Sequence, residues 1–346
     1  MTDVTKARVR SKPPLAPSDE SVRTVRPADE QPGMENFTKA AGLAPGWWPV
    51  ALSAELGDKP LAVRLSDVNL ALYRDDSGTA RAVLDRCPHR RMPLSLGRIT
   101  DDGLIQCGYH GWSFNGAGSC ERIPNFRPGE RPSGRITVDA FAVAERAGMI
   151  LIHSGGDSTA DVPDALSGRA GMHLSGSVEV RAPHASIVAA LAFNPGAALG
   201  MGLLFGSGDE VVGPDAQTEP HRIVVVRERL TVNVPRLTTF DPAVKRSTRA
   251  RIETLRQTGL TSITAEIPQR GTVHAIVGAT PIGDYRTVVR WQLHVTGTAA
   301  PAVVAAAAAT WKVRLRTRRA ASTFASVADH ADTTYDPVLQ TLRGMT

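Results

Sequence analysis

Residues 87–112 read CPHRRMPLSLGRITDDGLIQCGYHGW, and the interpretation of the whole chain starts from this stretch. Cys87 and His89 form a Cys-x-His pair, and Cys107 and His110 form a Cys-x-x-His pair. Seventeen residues separate the two pairs. Two thiolates and two imidazoles on two short loops are a typical set of metal ligands, so the stretch predicts a metal centre.

Two kinds of centre accept two sulfurs and two nitrogens. One is a tetrahedral zinc ion, and the other is a Rieske [2Fe–2S] cluster, in which two His replace two Cys on one iron. Zinc sites usually take two ligands from a Cys-x(2–4)-Cys knuckle, whereas here each loop supplies one Cys and one His. This arrangement favours the cluster, with Cys87 and Cys107 on one iron and His89 and His110 on the other.

The neighbouring residues suit such a centre. Gly108 and Gly111 allow tight turns whose N–H groups can point at sulfur, and we expect Trp112 to shield the cluster from water. The remaining cysteine, Cys120, has no partner for a disulfide and is predicted to be a small core or turn residue. Unpaired cysteines favour a reducing, cytoplasmic location.

The flanking residues extend the pattern well beyond the four ligands. Residues 46–155 resemble the N-terminal Rieske domain of the Rieske non-haem iron oxygenases, an aromatic-ring-hydroxylating family that includes vanillate O-demethylase-like oxygenase alpha subunits. The resemblance is carried by residues 48–53 (WPVALS), 86–90 (RCPHR), 93–97 (PLSLG) and 107–114 (CGYHGWSF). This sequence departs from the family at Arg91, where Gly is more frequent, and at Gly108, where Pro is frequent, and neither residue is a ligand.

Periodicity predicts an α+β protein of two domains. Residues 46–155 read as an all-β unit, and its predicted strands are 50–52, 61–65, 70–74, 82–84 and 150–153. In residues 160–346, alternating residues predict long antiparallel strands over 261–267, 273–277 and 289–295, each with one buried and one wet face. Helices are predicted over 185–205, 242–257 and 302–319, and near residue 342. The resemblance implies that this second region is a helix-grip (START-like) domain, and residues 1–36 are predicted to be a disordered tail.

The resemblance also implies a mononuclear iron in the second domain, held by two His and one carboxylate that activate O₂. The family places them on the first helix as Asp-Pro-x-His-x-x-x-x-His. In the best register, Asn194 stands at the Asp position, Ala197 at the first His and Gly202 at the second. Ala and Gly offer no donor atom, and no two of the nine His in the sequence are five residues apart. We therefore predict that this chain has a degenerate iron site.

A rearranged iron site stays open as an alternative. His184 precedes the same helix and could act with one of four carboxylates, which are Asp209, Glu210, Asp329 and Asp332. A single His at a helix start is more often structural. The same structural role, in the core or in a hydrogen bond, is predicted for His153, His274 and His294.

Charge and hydropathy narrow the possible partners. The formal net charge is +6, but charges of both signs are interspersed, so a nucleic-acid partner is not expected. The basic run 312–319 is interpreted as a solvated helix face, with docking of an acidic electron donor as an alternative. No apolar run approaches about 18 residues and no secretory signal is evident, so neither a membrane span nor export is predicted.

The predicted function follows from these points. The chain is interpreted as a Rieske oxygenase-like subunit that takes electrons from a reductase or ferredoxin. It would pass them to the mononuclear Fe(II) of a related partner subunit in a trimer or hexamer, which hydroxylates or demethylates a small organic substrate. No catalytic residue is assigned to this chain itself. A complete oxygenase with an unusual iron site and a redox sensor or scaffold remain alternatives.

Overall fold

The computed structural model describes residues 43–127, 130, 132–155, 172–193, 211–219, 222–231, 246–255, 258–267 and 271–297. The predicted tail over 1–36 and the predicted helices over 302–319 and near residue 342 lie outside these ranges. No helix in the described ranges is long and apolar enough to cross a membrane.

The N-terminal half is built from short antiparallel strands in three small sheets. Their orders are β1-β11-β10, β2-β3-β4-β9 and β5-β6-β7-β8. The strands are β1 (Trp47–Leu52), β2 (Leu61–Leu65), β3 (Val68–Arg74), β4 (Ala80–Leu84), β5 (Arg98–Ile99), β6 (Ile105–Gln106), β7 (Ser113–Phe114), β8 (Cys120–Arg122), β9 (Ala140–Phe141), β10 (Val143–Arg146) and β11 (Met149–His153). The five strands predicted for this region are confirmed with small shifts at their ends.

The second half is dominated by one antiparallel sheet of seven strands, in the order β12-β18-β17-β16-β15-β14-β13. Its strands are β12 (Met172–Val180), β13 (Val211–Thr218), β14 (Arg222–Thr231), β15 (Arg246–Leu255), β16 (Thr261–Ile267), β17 (Gly271–Gly283) and β18 (Arg286–Val295). A helix, α1 (His184–Phe193), covers one face of this sheet. The predicted α+β class is confirmed.

The core under α1 follows from strand alternation. In β17 the residues Val273, Ala275 and Val277 point to α1, where they meet Ile187 and Leu191. All five side chains are fully buried. Burying a Val, Ile or Leu side chain contributes about 1.5–3 kcal/mol, so this layer stabilises the second half substantially.

The helix predicted over 242–257 is wrong, because this segment contains β15. Ala250 and Ile252 belong to the core under α1, while Arg249 and Arg251 are exposed. This is a period of two, and β15 is paired on both sides, by β14 and β16. The charged residues alternate with small and β-branched ones, which suits a strand. Pairing with the neighbouring strands therefore outweighs the helix propensity of the individual residues.

The other face of the large sheet also differs from the prediction, because the N-terminal half covers part of it. Ile276 and Thr280 are fully buried, and His274 is 4% exposed. The face that was predicted to be wet is therefore partly an interface between the two halves of the chain.

This interface runs along β1 and β11, which are buried on both faces. Trp48 and Ile150 point toward β2–β4, whereas Trp47 and Met149 point toward the large sheet. On the large-sheet side they pack against Ile276 and Leu260. Alternating residues of the same strand therefore belong to two cores, which ties the halves together.

Polar contacts reinforce the interface. The Thr280 hydroxyl donates to the Pro49 carbonyl, and Nη1 of Arg290 lies 3.1 Å from the same hydroxyl. Nε of Arg290 lies 3.6 Å from a Glu55 carboxylate oxygen. The backbone N–H of Ser66 donates to the Pro281 carbonyl at 2.6 Å. The hydrogen bonds of Thr280 and Ser66 give partners to polar groups that the docked halves remove from water, whereas Nε of Arg290 has only the ion pair with Glu55.

Candidate metal centre

The four predicted ligands lie on two loops with the same backbone hydrogen bonds. In the first loop, Cys87 N–H donates to the Met92 carbonyl at 2.9 Å, and Arg91 N–H donates to the Cys87 carbonyl at 2.8 Å. In the second loop, Cys107 N–H donates to the carbonyl of Trp112 at 2.8 Å, and Gly111 N–H returns to the Cys107 carbonyl at 3.1 Å. Each loop thus begins at a Cys and closes five residues later.

Both loops need one left-handed residue at the same place. Gly111 has φ +69° and Arg91 has φ +60°, each four residues after its Cys. This backbone region favours glycine, and for other L-residues it costs about 1–2 kcal/mol. The position at which this sequence departs from the family, Arg91, is therefore one where the backbone conformation favours glycine.

The two thiols form the buried part of the site. Cys87 is 2% exposed and Cys107 is 4% exposed, and both belong to a core with Leu94 and Phe114. Burial and the neighbouring Cys107 raise the pKa of the Cys87 thiol to about 11. Backbone N–H groups of the first loop also donate hydrogen bonds to the Cys87 sulfur. These bonds lower the pKa of the thiol and so offset part of the effect of burial. Paired thiols that receive N–H bonds are suited to bind iron or zinc as thiolates.

The two imidazoles form the exposed part of the site. His89 and His110 are both exposed, and their Nδ1 atoms lie 3.1 Å apart. Two nitrogens bound tetrahedrally to one metal at about 2.0–2.1 Å would lie about 3.3 Å apart, so the rings are close to a ligand geometry. The ring of Trp112 stacks on His89 with centroids 4.5 Å apart and planes at 6°, which restricts the rotation of that imidazole.

The four side chains therefore form a buried pair of sulfurs and an exposed pair of nitrogens. A tetrahedral zinc ion would need all four donors around one point, whereas a two-iron cluster with unlike irons needs like donors in pairs. In the described part of the chain, no three His, Cys, Asp or Glu side chains gather into a group that could hold one metal ion. The pairing of like donors fits a [2Fe–2S] cluster.

Three residues that the sequence reasoning missed hold the loops in place. The Asp85 carboxylate accepts hydrogen bonds from the Ser95 N–H at 2.7 Å and the Ser95 hydroxyl at 2.6 Å. The Gln106 side-chain amide donates to the Gly111 carbonyl at 3.2 Å. The available signal was position alone, because Gln106 immediately precedes Cys107 and Asp85 lies two residues before Cys87.

The chain that follows the first ligand loop packs closely against the second ligand loop. A Cβ at Gly108 would lie 3.2 Å from the Leu96 carbonyl oxygen, and a Cβ at Gly97 would overlap the carbonyl oxygen of Gln106. Gly97 therefore requires the absence of a side chain, although its backbone is not left-handed, whereas the contact at Gly108 is tight without excluding a larger residue.

The other candidate ligands are placed elsewhere or not described. Asn194, Ala197 and Gly202 lie outside the described residues, as do the four carboxylates considered with His184. His184 itself is half-buried at the start of α1. Its Nε2 lies 3.1 Å from the Thr258 carbonyl, and its ring centroid lies 5.4 Å from that of Trp48. Burial holds the pKa of His184 below its usual range.

His153, His274 and Cys120 lie in positions that agree with the structural roles predicted for them. His153 is buried, bonds with the Gly155 backbone and lies edge-on to a tryptophan. Nε2 of His274 lies 3.0 Å from the Ser262 hydroxyl oxygen, and its ring centroid is 6.4 Å from that of His294. Cys120 is 8% exposed in the core beside the ligand loops.

Comparison with known proteins identifies the class of this domain. Residues 46–142 match the family model of the Rieske [2Fe-2S] domain. The chain therefore contains a Rieske domain, and such a domain implies a [2Fe–2S] cluster.

Two of the relatives with similar sequences are named as oxygenase components or subunits. The chain is 44% identical over 121 residues to the oxygenase component of dicamba O-demethylase from Stenotrophomonas maltophilia, covering 34% of this chain and 35% of that one. It is 38% identical over 115 residues to the vanillate O-demethylase oxygenase subunit of a Pseudomonas strain, covering 33% and 31%. The chain thus matches about a third of the length of these curated relatives.

The fold similarity extends further than the sequence similarity. The crystal structure of apo dicamba monooxygenase superposes with a TM-score of 0.66, covering 87% of this chain and 94% of that chain at 20% identity. At this level of identity the match shows a shared fold, in which the antiparallel sheet domain follows the Rieske domain.

Proposed function

We propose that this chain is an electron-carrying component of a Rieske-type oxygenase. The observation that supports this most directly is the pairing of donors on two matched loops, with the thiols buried and the imidazoles exposed. Cys87 and Cys107 would hold one iron, and His89 and His110 the other. When bound, a cluster with this ligand set supplies one-electron transfer at a potential between about −150 and +300 mV.

The residues around the centre support a carrier rather than a closed structural site. The first loop's N–H groups stabilise charge on the Cys87 sulfur, and the core around Leu94 and Phe114 excludes water from that side. His89 and His110 present their rings to the surface. The imidazole edges therefore offer the shortest route by which an electron could enter or leave.

We further propose that the second domain has lost its own oxygen-activating iron. The support comes from the complete sequence, whose nine His lie at 89, 110, 153, 173, 184, 221, 274, 294 and 330. None of these forms the spacing of five that the family's iron motif requires. Asn194, Ala197 and Gly202 stand at the motif positions, and His184 already makes a backbone hydrogen bond. Fewer than three ligands fall short of a facial triad.

A subunit that has a cluster but no mononuclear iron can still contribute to catalysis in a head-to-tail ring of subunits. Head-to-tail contacts bring different faces of neighbouring subunits together, so one subunit can donate electrons to the next. We propose that a related, iron-competent subunit receives electrons from this chain in a trimer or hexamer. The substrate class, by analogy with the relatives, is a small organic molecule that is hydroxylated or demethylated. A reductase or ferredoxin would supply the electrons.

The test is co-expression of this chain with an iron-competent relative. We expect a mixed oligomer whose substrate turnover, with reductase and O₂, falls severalfold or more when Cys87→Ser is introduced in this chain. Cys120→Ser is the matched control, because Cys120 is buried in the same core without being a proposed ligand. If Cys87→Ser leaves turnover unchanged, or if no mixed oligomer forms, electron donation by this chain is wrong.

A further inference from the structure

Three histidines stand side by side across the large sheet. The strand register pairs His274 of β17 with His294 of β18, and it pairs His294 with His173 of β12. Three of the nine histidines in the sequence thus occupy one row on three neighbouring strands, at the edge that β12 forms. Directly opposed residues of antiparallel strands share a face, with Cβ atoms about 4.5–5.5 Å apart. We call these three residues the histidine row.

The histidine row lies on the face of the sheet opposite α1. The residues next to its members in sequence, Leu174, Ala275 and Leu293, belong to the core under α1 or pack against it. Because successive residues of a strand face opposite ways, the row occupies the other face. The positions that correspond to the family's iron motif begin directly after α1 in sequence. The row is therefore distinct from that motif.

The two rings that the structure describes are close to a shared-ligand geometry. The ring centroids of His274 and His294 lie 6.4 Å apart, with the planes at 52°. Two imidazoles bound to one zinc ion at about 2.0–2.1 Å have centroids about 5 Å apart, so a displacement of about 1 Å brings both rings to one ion. The side chain of His173 lies outside the described residues, and His173 joins the row by its register position alone.

A hydrogen bond holds the ring of His274 in place. Its Nε2 lies 3.0 Å from the hydroxyl oxygen of Ser262 on β16, and the residue is 4% exposed. Metal-binding histidines usually have such a partner on the nitrogen that does not bind the metal, because it fixes the ring and its tautomer. His294 is half-buried and Thr296 beyond it is exposed, so the row opens to solvent at this end of β18.

We propose that the histidine row binds one divalent metal ion of the kind that prefers imidazole, such as Zn²⁺. His274 binds the ion through Nδ1, His173 and His294 supply two further nitrogens, and water takes the fourth position. Imidazole ligands suit Zn²⁺ and Cu²⁺, and both ions bind a given nitrogen site more tightly than Fe²⁺ does. The ion joins the edge strand β12 to β18 and β17, so its binding stabilises the folded sheet.

The test uses the full chain with its cluster assembled and Zn²⁺ alone as the probe. Equilibrium dialysis measures zinc affinity, and acid-labile sulfide in the same samples shows whether zinc has replaced the cluster. We expect about one zinc per chain beside an intact cluster, and a melting temperature several degrees higher with zinc than without it. His173→Gln and His294→Gln should each weaken zinc binding about tenfold or more, since losing even an outer partner of a ligand costs about that much.

The matched control is His153→Gln, which replaces a buried histidine of β11 outside the row and should leave zinc affinity unchanged. A second readout is the EPR spectrum of added Cu²⁺, recorded with the cluster oxidised, because the two coupled irons then give no signal. We expect hyperfine splitting from three nitrogens in the wild type and from two in His173→Gln.

Three results would overturn the metal site. Zinc that does not bind, or that binds His173→Gln and His294→Gln as tightly as the wild type, shows that the row holds no ion. Equal weakening in His153→Gln shows that the effect is not specific to the row. Loss of affinity in His294→Gln alone leaves only two histidine ligands and contradicts the three-nitrogen site. If His294→Gln does not fold, the affinity and the copper spectrum of His173→Gln decide between these outcomes.

Discussion

At the scale of single residues, the left-handed position of each ligand loop is occupied by a different kind of residue. The two ligand loops share one pattern of hydrogen bonds, yet one uses Gly111 and the other Arg91 at the left-handed position. A Cβ at Gly111 would also approach Cγ of Pro124 to 2.9 Å. The same backbone requirement is thus met with a glycine in one loop and with strain in the other.

Arg91→Gly is expected to stabilise the chain by up to about 1 kcal/mol. Relief of the left-handed strain, about 1–2 kcal/mol, exceeds the 0.5–1 kcal/mol that glycine costs through a more flexible unfolded chain. Gly111→Ala is the matched opposite change and is expected to destabilise by about 1–2 kcal/mol or more, because it adds both strain and the contact with Pro124. Urea midpoints measure both effects. A lower midpoint for Arg91→Gly would show that the loop does not strain this residue.

The ionisation of His184 gives a second prediction at this scale. Burial lowers the pKa of His184 in the folded protein, so below the usual value of about 6.5 the unfolded chain binds more protons than the folded one. The stability contributed by the neutral ring is therefore present above pH 6.5 and is lost as the pH falls through the lowered pKa. His184→Gln should make the loss of stability between about pH 7.5 and pH 5 shallower than in the wild type.

Urea unfolding at several pH values measures this difference. His153→Gln is the control, because that ring is likewise hydrogen-bonded to backbone but lies on β11 rather than on α1. If the free energy of unfolding of His184→Gln falls with decreasing pH as steeply as that of the wild type, the assignment of a neutral His184 with a lowered pKa is wrong.

At the scale of elements, strands buried on both faces organise the molecule. The alternation of β17 and β18 could be predicted from Val273, Ala275, Val277 and their counterparts, because apolar residues recur with a period of two. What covers the second face of that sheet could not be predicted, because Thr280 and Arg290 look like solvent-facing residues in the sequence. They are buried only because β1 docks there. The segment around Ile252 was misjudged for a different reason, because its alternation of exposed and buried residues has the period of two of a strand and not that of a helix.

The contact between Glu55 and Arg290 links the two halves. Nε of Arg290 is 3.6 Å from Glu55, and the Arg290 side chain is only 10% exposed. Glu55 also accepts a hydrogen bond from the Ser177 hydroxyl at 2.7 Å. Glu55→Ala leaves a buried guanidinium without its counter-charge. Removing one partner of a fully buried pair costs about 3–5 kcal/mol, and because Glu55 is one-third exposed we expect about 2 kcal/mol here.

A matched control is Glu179→Gln, which breaks the exposed pair with Arg286 in the same sheet. We expect this change to leave the free energy of unfolding almost unchanged, because exposed ion pairs contribute little. The free energy of unfolding of both variants, compared with that of the wild type, tests this prediction. Equal effects for the two substitutions would mean that the interface does not depend on the buried charge.

At the scale of the whole molecule, the sequence was most informative where chemistry restricts residue type. Cys87, His89, Cys107 and His110 could be identified from spacing, because few residue types bind iron and their loops are local. The residues that support them, such as Asp85, carry no such signature and act through contacts that only the fold creates. The sequence similarity to known proteins likewise rests on the Rieske domain, whereas the second domain resembles known structures mainly in its fold.

The central claim is that this chain carries a two-iron cluster and no third iron. The direct measurement is the content of iron and acid-labile sulfide per chain, on protein produced with sufficient iron, together with the EPR spectrum after reduction. We predict two irons and two sulfides, with a Rieske-type signal that is lost in Cys87→Ser and His110→Ala and retained in Cys120→Ser. A third iron that survives mild chelation would contradict the loss of the mononuclear site, and stoichiometric zinc without sulfide would contradict the cluster itself.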